Sequence, residues 1–142
     1  MKNKLLWLLA VVIASDFGVT MLGQPLSYWH HPQDAHEGNP VARWFMVQGT
    51  VCYLAYIVGY IAGVVALVAH LPPKAAIITG AVFLLVHYFA GLSWVAFHFH
   101  HDMLGPVIYA LALSLALMAI LRTGDWKAYL GEDKIQKCLS GR

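Results

Sequence analysis

All but two of the eight histidines in this 142-residue chain fall into two short segments. His30, His31 and His36 stand close to Asp34 and Glu37, and His98, His100 and His101 stand beside Asp102. Neutral imidazole is a ligand for zinc, copper, nickel and iron, usually with carboxylate as companion. If a helix continues to residue 101, His98 and His101 are three positions apart and share a face. A divalent transition metal, zinc or copper by preference, would then draw nitrogen from His98, His101, His100, His30 or His31. Oxygen would come from Glu37 or Asp16. The competing reading is that a histidine-rich turn is simply solvated or caps helix ends.

The other chemistry-bearing residues sit in apolar surroundings. Asp16 interrupts the run from Leu5 to Gly23, and His87 is the sole Asp, Glu, His, Lys or Arg between Ala75 and Phe97. An aspartate inside a bilayer costs about 2.5–3.5 kcal/mol on insertion scales, so it must be paired or protonated. Thr20 lies one turn on, and Gln48 or Arg43 offers a second partner from the next helix. Asp16 is therefore either a structural tie to these groups or a ligand or proton carrier beneath the histidines. His87 also needs a partner. It is read either as an axial ligand for a haem or pigment, or as a neutral ring bonded to neighbours of Tyr88, to Ser114 or to a backbone carbonyl.

Which elements hold these residues follows from composition. The chain is 60% hydrophobic and 11% charged, against about 25% charged in soluble domains. It cannot cover its apolar residues with polar surface, which excludes both a soluble globular domain and a disordered one. A net charge of +2 gives no basic patch for nucleic acid. Four stretches, at about 5–23, 44–69, 75–97 and 103–121, are long enough to cross a bilayer core about 30 Å thick. The first has a basic start but no small-residue cleavage site, so it reads as a retained helix. Of the nine Lys and Arg, all but Arg43 precede the first stretch, lie between the second and third, or follow the fourth. Basic residues favour the cytoplasmic side. The expected fold is therefore all-α: an antiparallel four-transmembrane-helix bundle over 1–122 in a bacterial cytoplasmic membrane, both termini inside, with a polar tail over 123–142.

In this arrangement both histidine segments lie at the outer end. Asn39-Pro40 reads as an N-cap with proline at the first helical position. Gly80, Leu84, His87, Gly91, Trp94, His98 and His101 form one face of the third helix and should point inward. Ala55, Gly59 and Gly63 form a small-residue stripe on the second, suited to internal packing, a partner membrane subunit or a second copy. Cys52 in lipid and Cys138 in the cytoplasm should not form a disulfide.

Asp16-x-x-x-Thr20, followed by Glu37-Gly38-Asn39-Pro40, resembles a group of small, uncharacterised bacterial membrane proteins. These carry an Asp-x-x-x-Thr first helix and a Glu-x-Asn-Pro outer loop. The resemblance covers about the first 50 residues and implies the four-helix topology, with no established activity. It groups Asp16, Thr20, Glu37 and Asn39 around the outer end of the first two helices. The histidine-rich loops depart from that pattern.

No His-Glu-x-x-His, Gly-x-Ser-x-Gly or phosphate-loop signature is present, so binding is expected ahead of catalysis. Three functions fit the residues. The first is a metal-binding membrane protein, and the second an accessory subunit of a larger complex in which His87 could hold haem or pigment. The third is an intramembrane enzyme using a metal-bound water.

Overall fold

The structure is a computed structural model that describes residues 2–98 and 104–122. Among these the chain is all-helical. Its helices are α1 (Lys2–Leu22), α2 (Pro40–Val47), α3 (Thr50–His70), α4 (Pro73–His98) and α5 (Leu104–Arg122). Two short 3-10 turns, Leu26–Trp29 and Pro32–Asp34, connect α1 to α2. The polar tail, together with His100, His101 and the side chain of His98, lies outside the described residues.

Among the described residues three helices are long and apolar enough to cross a membrane: Asn3–Leu22, Thr50–His70 and Pro73–Phe97. In α5 the apolar stretch runs over Gly105–Leu115. The outward faces are compatible with the same medium. Val51, Val58, Ile78, Val82, Phe89 and Leu115 are each more than half exposed, a surface that water would not tolerate as a continuous patch.

The second stretch departs from expectation. Instead of one helix over 44–69, the chain makes the eight-residue α2, turns at Gln48 and Gly49, and then starts α3. Gly49 has φ 110°, a left-handed conformation that a Cβ would strain. Asn39 does cap α2, its Oδ1 accepting from the N–H groups of Val41 and Ala42 at 2.9 and 3.3 Å. Pro40 follows at the first helical position, where no N–H is missed. At the opposite pole Leu71 is extended, as a residue before proline must be, and Pro73 opens α4.

The central helix is α1: 44% of its apolar window is buried, against 17% and 22% for the windows of α3 and α4. It packs against α3, α4 and α5. Near Lys2 the contact is aliphatic, with Leu5, Leu9, Val68 and Ala76 buried together. Towards α2 it turns aromatic, through Phe17, Tyr28 and Tyr53. The inward face expected on α4 is present, with Gly80, His87 and Gly91 buried. A Cβ on Gly91 would strike the Tyr109 hydroxyl and lie 3.3 Å from the Asp16 Cα. This glycine therefore lets α1 and α5 both approach α4 beside Asp16.

Candidate functional site

Asp16 sits six residues before the end of α1, about 9 Å at 1.5 Å per residue. His87 sits eleven residues before the end of α4, about 16 Å. The packing of the two helices brings them to one level. His87 Nδ1 and Asp16 Oδ2 are 2.7 Å apart, with both side chains only 8% exposed. The other ring nitrogen, Nε2, lies 3.0 Å from the Tyr60 hydroxyl on α3. Three helices thus contribute one residue each to a hydrogen-bonded chain, Asp16–His87–Tyr60.

This pairing answers the need of both residues for a partner, with partners other than those expected. Thr20 lines the same cavity as Asp16. Gln48 is exposed at the C-terminus of α2, because the break at Gly49 turns it away. Arg43 is exposed as well, and its Nε donates to the Ala35 carbonyl at 3.4 Å. His87 is bonded to neither Ser114 nor a backbone carbonyl. With Asp16 on one nitrogen and Tyr60 on the other, an axial bond to haem iron would require displacing one of them.

Above the chain lies a cavity of about 180 Å³. Asp16, Thr20, Glu37 and Asn39 all line it, so the four residues grouped by their motifs do surround one space. Its remaining walls include the rings of Phe17, Tyr56, Tyr60 and Trp94. Phe17 meets Tyr56 and Tyr60 edge-to-face at centroid distances of 5.8 and 5.6 Å. No Lys or Arg is among the described lining residues. Two carboxylates and one imidazole line an otherwise uncharged space.

The loop is built to hold Glu37 there. Its Oε1 accepts from the Asn39 N–H at 2.7 Å, which fixes the turn into α2. Gln24 fastens the loop from the other side. Its amide nitrogen donates to the Thr20 and His36 carbonyls at 2.9 and 2.8 Å, and its Oε1 accepts from the His36 N–H at 2.8 Å. Burial pushes the Glu37 pKa up and the charge of Asp16 adds to this, opposed by the Asn39 N–H.

An open groove of about 420 Å³ adjoins the cavity, lined by His36, Glu37, Gly38, Ser93, Trp94 and Phe97. Glu37 and Trp94 border both spaces. Close by, the buried hydroxyls of Tyr28 and Tyr53 have no hydrogen-bond partner among the described residues.

No family model, curated protein or solved structure matches this chain. Its chemistry is read from the site alone.

The outer histidines give a different picture from the buried one. Among the described residues no three of His, Cys, Asp and Glu converge as metal ligands. His30 and His31 are exposed, while the His98 side chain, His100 and His101 fall outside the described residues. Ala55, Gly59 and Gly63 lie on an exposed face of α3, and a Cβ at either glycine would meet nothing within 4 Å. Sequence reasoning missed Tyr60 and Gln24. A tyrosine in an apolar helix has no distinguishing pattern. Gln24 signalled only that a polar side chain follows a span.

Proposed function

We propose that this chain is an integral membrane protein that binds a cation in the cavity above Asp16–His87–Tyr60 and exchanges it for a proton on His87. The observation that carries this is the 2.7 Å contact between Asp16 and His87 on the floor of a cavity with two carboxylates. With imidazolium beside carboxylate, the pair is neutral overall. Loss of the proton leaves one net negative charge inside the membrane, which is costly unless a cation compensates it.

Tyr60 suits this exchange. When His87 is neutral, Nδ1–H donates to Asp16 and Nε2 accepts from the Tyr60 hydroxyl. When the ring is protonated, both nitrogens donate, and the Tyr60 oxygen accepts after a rotation about its C–O bond. The ring gains or loses a proton without giving up either partner. Other titratable groups nearby are Glu37 from the loop, Tyr53 and Tyr56 from α3, and Tyr109 from α5.

The distribution of Lys and Arg supports four spans with both termini on the cytoplasmic side, so that the cavity opens outward. The resemblance in the Asp-x-x-x-Thr and Glu-x-Asn-Pro motifs supports a bacterial cytoplasmic membrane. The test is nitrogen-15 NMR of His87 in bilayers across pH 4 to 9, in wild type and in Asp16→Asn. A change of protonation state that Asp16→Asn displaces is the expected result. One unchanging state over the whole range in the wild type would remove the proposal.

A further inference from the structure

Resting on the cation-exchange reading above, we infer that the cation is a small organic ammonium held among aromatic rings. Size is the first ground. Water occupies about 30 Å³ per molecule in the liquid, so a cavity of about 180 Å³ matches about six water-sized groups. That is the bulk of a methylated amine and far exceeds a bare metal ion.

Wall chemistry is the second ground. Rings reach the cavity from three helices: Phe17 from α1, Tyr56 and Tyr60 from α3, and Trp94 from α4. Aromatic rings attract a cation through their quadrupole, and an aromatic cage is the usual receptor for alkylated ammonium. A metal would need several nitrogen and oxygen donors at short range. Here Asp16 and His87 already bond each other, and Glu37 accepts from the Asn39 N–H. Charge is the third ground. Asp16 and Glu37 both line the cavity and supply negative potential there. Trp94 borders the cavity and the adjoining groove, where it can report on an occupant.

The experiment uses the full-length protein in nanodiscs, read by tryptophan fluorescence, with Trp94→Phe locating the signal. Tetramethylammonium is titrated against its neutral near-isostere tert-butanol, sodium and zinc. The expected result is a saturable change with tetramethylammonium that Trp94→Phe abolishes. Affinity should fall about tenfold in Tyr60→Leu, and tert-butanol should bind at least tenfold more weakly. If Tyr60→Leu fails to fold, Trp94→Leu in the cavity wall, read by calorimetry, should give a similar loss. Equal binding of tert-butanol, or no saturable tetramethylammonium signal, overturns the inference. If zinc or sodium alone shifts both Trp94 and the protonation of His87, the organic assignment falls and cation exchange stands. If tetramethylammonium binds while His87 is unchanged, the exchange falls and the aromatic receptor stands.

Discussion

Removing Asp16 should strand His87, and the size of the effect reports the charge on the pair. In the structure the two side chains meet at 2.7 Å with 8% exposure each. A hydrogen bond to a charged group contributes about 1.5–3 kcal/mol, and leaving its partner buried without one costs about 1–3 kcal/mol more. Asp16→Ala and His87→Leu should therefore each destabilise by about 3–5 kcal/mol, the range for breaking a buried pair. The double variant leaves no stranded group, so it should cost about as much as one single variant. The coupling energy is then about 3–5 kcal/mol, or roughly 140- to 4,000-fold in the folding equilibrium. Neutral interhelical hydrogen bonds in membranes average only about 0.6 kcal/mol, so a coupling near that value would mark an uncharged pair. Steric trapping in bicelles measures all four corners of the cycle. Additivity of the two single variants within about 0.5 kcal/mol would show that the residues do not act as a pair.

Three further outcomes follow from the surroundings of that pair. Gly91→Ala places a methyl group against Tyr109 and the Asp16 backbone and should cost about 1–3 kcal/mol, as overpacking does. Adding Tyr109→Leu should recover much of the loss in the same unfolding assay, and no recovery would deny the close approach. Gln24→Ala deletes three hydrogen bonds that fasten the loop to α1. Amide exchange over residues 25–39 should rise at least tenfold while α3 is unaffected, and unchanged protection would show that the loop is held by other means. Glu37 has its pKa raised, mainly by burial, so ionising it opposes folding. Its stabilising protonated form is complete below the ordinary value of 4.5 and is lost as pH rises through the raised one. Glu37→Gln keeps the acceptor for the Asn39 N–H and cannot ionise. Its stability relative to wild type should rise with pH over that window, and a constant difference would refute the assignment.

The helices were legible in the sequence because runs of about 20 apolar residues admit few other structures. The Asn39-Pro40 cap was legible because each residue has one physical task at a helix start. Gly49 was not. A lone glycine is tolerated within a helix, and only its backbone angle reveals the break. The site was half legible. The cost of burial marked Asp16 and His87 as residues that need partners. Their pairing was hidden because they are 71 positions apart, and helix periodicity speaks only within one helix. Tyr60 needed the packing of α3 to be known. The stripe on α4 was readable because small residues and a histidine on one face have no reason to meet lipid.

The same separation bears on how the molecule is made. Asp16 enters the membrane with α1, yet His87 is synthesised 71 residues later, about 4–14 s at ordinary elongation rates. Throughout that interval the carboxylate lacks its mate, at a penalty of about 2.5–3.5 kcal/mol if it waits charged in lipid. The nascent segment must then linger at the insertion machinery, or take up a proton, until the fourth helix emerges. The finished bundle thus has a biosynthetic latch, in which the earliest helix settles only when a later one arrives.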